Sequence, residues 1–316
     1  MGGAAAIRWL GHSSVQIDLD DTRILTDPAL TARLGHLRRH HRVDMSTVAT
    51  PDAIVISHVH LDHLHVPSLR RLGRQIRIVV PAGAGQLLRR KGFPNVDETR
   101  VGDTFDVGRV MVETVPAVHP NRRGPHSRVV AEPVGYVLRT DDAAVYFAGD
   151  TDLFDTIADL APIDVALLPI WGWGPSLGEG HLNPARAATA VRRLQARVVV
   201  PVHWGTYSPI SVKRPVWLDA PAAQFADELR AVDMIDALHV LAPGESVVVP
   251  SSSTEDELEL ELVADGNAVG ADGRDRWLDE SGSIDAVADQ PAEVQSPTLV
   301  EAECAPVVVR RDQPDP

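Results

Sequence analysis

The sequence predicts an α/β domain of two β-rich layers with helices on the outside. Three observations carry this prediction. The first 26 residues hold three short apolar–polar alternations, at 7–10, 15–19 and 23–26, which read as an antiparallel meander with a tight turn at Asp20-Asp21. Beyond residue 50, β-branched runs alternate with helix-like segments, and a similar alternation follows later in the chain. Finally, four separate strand-like runs end in metal-type side chains, at 58–63, 119, 150 and 203. Strand ends are where α/β sheets place their sites.

The elements follow in order. The third strand stops at Asp27-Pro28, because proline cannot continue the ladder. Residues 29–51, rich in arginine and histidine, read as a loop with a short helix. His36, His40 and His41 lack partner spacing there and are expected in solvent, as are Arg38-Arg39 and Arg70-Arg71. The run Ile54-Val55-Ile56 is a buried strand that opens into the histidine loop. A helix is expected over 67–72, a strand over 76–80, and a helix over 84–90 ended by Gly92. A strand at 109–115 leads to His119, and a hairpin of 136–139 with 143–148 leads to Gly149-Asp150. The strand at 165–169 precedes a glycine- and tryptophan-rich loop, 170–180, and His181. Asn183 and Pro184 open a helix to 194 as cap and first residue. A strand at 197–202 ends in His203, a helix covers 221–232, and short strands at 238–241 and 247–249 close the fold.

Composition bounds the function. Of 316 residues, 44 % are apolar, enough for a substantial core, yet no run approaches the roughly 20 apolar residues of a membrane span. The N-terminus has no secretory pattern and the only cysteine is Cys304, so a cytoplasmic protein without an intrachain disulfide is expected. The net charge of −14 is concentrated in 251–316, which hold 17 acidic and 4 basic residues. The first 250 residues are nearly neutral, so nucleic acid is not an expected partner. Two regions result: a domain over 1–250 and an acidic tail over 251–316 too poor in apolar residues to offset ordering entropy.

The densest chemistry is His58-Val59-His60-Leu61-Asp62-His63. Imidazole and carboxylate suit zinc and similar metals. Residues two apart in an extended loop point the same way, so His58 and His60 can share one ion. With Asp27, His119, Asp150 and His203 in this order, the chain resembles the metallo-β-lactamase fold superfamily. The stretches 9–14, 24–28, 181–184 and 201–206 narrow the resemblance to the branch of N-acyl-phosphatidylethanolamine phospholipase D-like and ascorbate-6-phosphate lactonase-like enzymes.

The resemblance implies a four-layer αβ/βα sandwich and two divalent metal ions, zinc first, with manganese or iron as alternatives. His58, His60 and His119 would hold one ion, Asp62, His63 and His203 the other, and Asp150 would bridge them. A hydroxide between the metals would attack an ester, lactone or phosphodiester bond in a small-molecule or lipid-derived substrate. The alternatives are a non-catalytic metal- or metabolite-binding protein and a nuclease. Asp62 and His181 are the expected catalytic residues, with His181 as proton donor or oxyanion partner. Asp27 is expected to support the histidine loop without ligating, with His12 in a similar supporting role. Trp171, Trp173, Arg122 and Arg123 are the expected substrate contacts, the tryptophans as an apolar wall and the arginines for an anionic group. The sequence leaves the oligomeric state and the substrate open.

Overall fold

Three buried clusters of apolar side chains define the layering of the chain. In the computed structural model, which describes residues 4–251 apart from 125 and 214, the strands and helices run as follows. They are β1 (Ala5–Gly11), β2 (Ser14–Leu19), β3 (Thr22–Thr26), β4 (Arg33–Leu34), β5 (Leu37–Arg39), β6 (Ala53–Val55), α1 (Val66–Leu72), β7 (Arg77–Pro81), α2 (Gly85–Arg90) and β8 (Val96–Thr99). Then come β9 (Thr104–Val107), β10 (Val110–Pro116), β11 (Val134–Arg139), β12 (Ala144–Phe147), β13 (Val165–Pro169), α3 (Pro184–Leu194), β14 (Val198–Val202), β15 (Tyr207–Pro209), α4 (Ala220–Arg230) and β16 (Ser246–Val249).

A seven-stranded sheet has the order β16-β1-β2-β3-β6-β7-β8, and a six-stranded sheet the order β14-β13-β12-β11-β10-β9. Ile7, Trp9, Ile17 and Val55 of the first pack with Val112, Tyr136, Phe147 and Leu167 of the second, which places the main core between the sheets. The outer face of the first sheet packs through Ile54, Ile78 and Val80 against Leu69 and Leu88 of α1 and α2. The outer face of the second packs through Val137, Tyr146 and Leu168 against Val191 and Phe225 of α3 and α4. This is the αβ/βα sandwich of the metallo-β-lactamase fold. No helix among the described residues is long and apolar enough to cross a membrane. Apart from Ser251, the acidic tail lies outside the described residues.

Both sheets change direction partway across. β1, β2 and β3 are antiparallel, and β3, β6, β7 and β8 are parallel. β9 to β12 are antiparallel, and β12, β13 and β14 are parallel. The ends of β1, β3, β6, β10, β12 and β14 lead directly into His12, Asp27, His58, His119, Asp150 and His203. Several of these turns need a left-handed backbone. His12, Asp27 and His203 have φ of 57°, 33° and 61°, an uncommon conformation for residues with a Cβ.

Gly149, with φ of 61°, makes the corresponding turn before Asp150, and a Cβ there would run into the Ser57 side chain. Gly149→Ala is therefore expected to destabilise the domain by about 2 kcal/mol, from overpacking and a disallowed φ together. Denaturant unfolding of the two proteins measures this, and an unchanged midpoint would contradict it.

The structure differs from the sequence reading in several places, among them the unexpected strands β8 and β9. Residues 29–51 form a small sheet, β4 with β5 and β15, and only one short helical turn, Met45–Thr47. The expected strand at 238–241 reduces to a single bridge of Leu238 with Val199, because Pro243 and Gly244 soon turn the chain toward β16. Arg39 is not solvated. Its guanidinium is hydrogen-bonded to the carbonyls of Leu10, Ala29 and His41 and to the Tyr207 hydroxyl, which ties the small sheet to the end of β1.

Candidate metal centre

The strand ends converge on the carboxylate of Asp150, which is 2 % exposed. Its Oδ2 lies 3.1 Å from His203 Nε2, 3.2 Å from His63 Nε2, 3.6 Å from His181 Nε2, 3.8 Å from His119 Nε2 and 3.9 Å from His58 Nε2. The candidate ligand atoms form overlapping groups beside it. His58, His60 and His119 form one, Asp62, His63, His203 and His12 another, and further groups join Asp27 to His58 and His63, and Asp150 to His119 and His181.

The outward ring nitrogens are already committed. His119 Nδ1 donates to the Gly180 carbonyl at 2.7 Å, and His203 Nδ1 donates to the Trp171 carbonyl at 2.7 Å. His63 Nδ1 donates to Asp27 Oδ2 at 2.6 Å. The Ser57 hydroxyl gives its proton to Asp27, so its oxygen accepts from His58 Nδ1 at 2.9 Å. Such outer partners fix the tautomer and turn the other ring nitrogen inward as a bare acceptor.

The inward nitrogens then face one another. His63 Nε2 and His203 Nε2 are 3.3 Å apart, and His60 Nδ1 and His119 Nε2 are 3.0 Å apart. His58 Nε2 and Asp150 Oδ1 are buried without any hydrogen-bond partner. Converging lone pairs and orphaned buried acceptors need a positive charge between them. The residues therefore fit divalent metal ions.

The electrostatics agree. Burial raises the cost of ionising Asp150 and Asp62, but the surrounding imidazoles outweigh it and hold both well below the usual carboxylate range. Burial, then the neighbouring imidazoles, keeps His58 well below its ordinary value, and burial lowers His119 to about 4. His63 goes the other way. Burial opposes its charge, yet Asp150, Asp62 and Asp27 raise it well above the ordinary value. Three carboxylates around one imidazole thus favour positive charge at this point.

The remaining expected residues are placed as follows. Asp27 is fully buried and accepts from Ser57 N at 2.8 Å as well as from His63. His181 follows the glycine-rich loop, with Nδ1 on the carbonyls of Gly178 and Glu179 and Nε2 toward Asp150. Its side chain is 20 % exposed, so one side meets solvent and the other the centre. The Asn183 side chain accepts from Arg186 N at 2.9 Å, capping α3 just after it. Burial lowers the His181 pKa, and the Asp150 carboxylate more than reverses this.

Trp171 contributes its backbone carbonyl, and its ring nitrogen donates to Gly174 O. Trp173 is exposed and meets the His36 ring edge-on at 5.5 Å. Arg122 is exposed, whereas Arg123 donates to the carbonyls of Val59 and Leu64 at 2.7 and 3.1 Å. Its guanidinium braces the histidine loop, in contrast to the anion-binding role expected of it. Ser57 and the Gly180 carbonyl were not legible as site groups, since a serine beside a histidine or a glycine in a loop is common, and Arg123 was legible only as an anion contact. The one available signal was that Ser57 directly precedes His58.

A family model for a beta-lactamase superfamily domain matches residues 22–204. A UPF0173 metal-dependent hydrolase of Methanopyrus kandleri is 31 % identical over 247 residues, covering 76 % of this chain and 98 % of its own. The N-acyl-phosphatidylethanolamine-hydrolyzing phospholipase D 1 of Caenorhabditis elegans is 28 % identical, and the match covers 63 % of each chain. Among solved structures, the metallo hydrolase Igni18 of Ignicoccus hospitalis superposes with a TM-score of 0.61 at 25 % identity, over 78 % of this chain and 98 % of its own. The chain belongs to the beta-lactamase superfamily.

Proposed function

We propose that this protein is a hydrolase that works with two divalent metal ions and cleaves an ester, lactone or phosphodiester bond. One observation carries the reading: five imidazole nitrogens lie within 3.9 Å of one oxygen of a buried carboxylate, flanked by acceptors that no protein donor satisfies. Relatives named as metal-dependent hydrolases support it. His58, His60 and His119 would hold one ion, Asp62, His63 and His203 the other, with Asp150 between them. Two bound cations would activate water near neutral pH and offset negative charge that develops on the substrate.

The protein's own groups do the rest. Asp27 keeps the His63 proton on Nδ1, so Nε2 stays available. His181 holds a proton on Nδ1 against two carbonyls and offers Nε2 at the exposed side of the centre. In the imidazolium form, which the neighbouring Asp150 carboxylate favours, its second proton sits on Nε2 and can pass to a departing oxygen. Leu61, Val118 and Trp173 are exposed and next in sequence to or within two residues of His60, Asp62, His119 or Trp171, and would supply an apolar flank to the centre. That flank suits an uncharged portion of a small-molecule or lipid-derived substrate. The named substrate class of the worm relative makes a phosphodiester the first bond to test.

The test is a panel of chromogenic phosphodiesters, lactones and esters with the full chain loaded with zinc or with manganese. Turnover of one class, lost on chelation and restored by metal, is expected. A protein that retains no metal after gel filtration, or turns over equally after chelation, would refute the proposal.

A further inference from the structure

The two halves of the centre are not built alike. Behind His58 stands the Ser57 hydroxyl, with Asp27 only beyond it, and behind His119 a backbone carbonyl. The other half has a carboxylate among its ligands, Asp62, and a second behind His63, Asp27. It also has His12, which touches nothing in the first half. His12 is 1 % exposed, and its Nε2 lies 3.1 Å from Asp62 Oδ2. Its ring lies on that of His203 with centroids 4.1 Å apart and meets the Tyr207 ring edge-on at 5.3 Å.

The chain holds His12 there firmly. Its backbone N–H donates to Thr206 Oγ1 at 2.6 Å. Its carbonyl accepts from Trp9 Nε1 at 2.8 Å and from the His203 N–H at 3.1 Å. These bonds fix a left-handed residue, φ 57°, between β1 and β2. A strained, buried histidine held by three separate segments is a costly arrangement for a mere filler. Its side-chain hydrogen bond ends on Asp62, and its ring and carbonyl both reach His203.

The geometry points to His12 as a positioning residue that sets the metal affinity of the Asp62, His63 and His203 half-site alone. Its Nε2–H fixes the Asp62 carboxylate, and its ring and carbonyl fix His203, so this half is pre-formed. With Asp62, Asp150 and Asp27 around it, this half takes up the first ion. The inference rests on the two-metal reading and adds an order of filling to it.

The experiment titrates zinc into the chelator-stripped full chain against a chromophoric competitor and counts bound metal after gel filtration. Wild type is expected to bind two equivalents with unequal affinity. His12→Ala should weaken the tighter one by about 10- to 100-fold, the range for losing an outer partner of a metal ligand. The weaker one should stay within about threefold. His12→Gln, whose amide can still donate to Asp62, should recover much of the loss. Should His12→Ala misfold, Thr206→Val releases the His12 backbone without opening the core, and should weaken the same equivalent to a smaller degree. Equal weakening of both equivalents, or of neither, overturns the assignment. A wild type binding one equivalent ends the two-metal reading instead. In that case the role of His12 stands if His12→Ala weakens that equivalent and falls if it does not. A wild type that binds no metal overturns both.

Discussion

Asp150→Asn is expected to lower turnover by at least about a thousandfold, roughly 4 kcal/mol of barrier, and to leave the protein with one bound metal or none. The substitution keeps the shape of the side chain. What changes is charge and polarity at the point where His58, His63, His119, His181 and His203 converge. An amide nitrogen there would direct hydrogens toward ring nitrogens or displace a cation outright. Its neutral oxygen would leave the gathered positive charge without its main counterion. Removing a group that only supports a metal ligand reduces affinity or activity by about 10- to 100-fold, so a group at the middle should exceed that. Metal analysis after gel filtration and single-substrate kinetics read the two effects separately. A variant with both metals and a tenth of the wild-type rate would show that Asp150 does not join the half-sites.

The second large effect is expected at Asp27. Asp27→Ala removes the acceptor for three donors, Ser57 N, Ser57 Oγ and His63 Nδ1. All of them are buried, so water cannot replace the carboxylate without a rearrangement. Unsatisfied buried donors cost about 1–3 kcal/mol each, and a broken buried charge pair about 3–5 kcal/mol in total. For a domain of this size that lowers the melting temperature by about 10 °C. The loss should be felt at the metal as well, because His63 would no longer be held in one tautomer. Asp27→Asn keeps one acceptor oxygen and should fall between the two. Thermal melts with and without added zinc decide this. An alanine variant melting within 2 °C of wild type would mean that the loop is held by something other than Asp27.

The convergence of these side chains is legible in the sequence because they follow recognisable strands. The runs before His58 and His203 are β-branched and that before Asp150 is apolar, so the residue pattern alone locates their ends. The outer sandwich helices are readable for similar reasons, with Asn183-Pro184 opening α3 where a cap and a first-turn proline belong. What stays hidden is carried by tertiary contacts. Arg39 lies in a basic stretch that looks solvated, and only the packing of the β5 and β15 strands buries its guanidinium. Strands of two or three residues, such as β4 and β5, are too short to show a period. His12 is expected only as a general support, and its partner stays hidden, since Asp62 is fifty positions away. Arg123 likewise meets its carbonyls about sixty positions back along the chain.

The pairing of β16 with β1 bears on how the chain emerges from the ribosome. Ala5 lies opposite Val249 in that ladder, so β1 is completed by the last described strand. Until β16 has been made, the outer edge of β1 has no partner, and unpaired edges invite pairing with other chains. His12 stands at the end of that same strand, and the loop before β16 reaches its base, where Gly244 N donates to the Trp9 carbonyl. The surroundings of His12 are thus among the last parts of the described domain to be finished during synthesis.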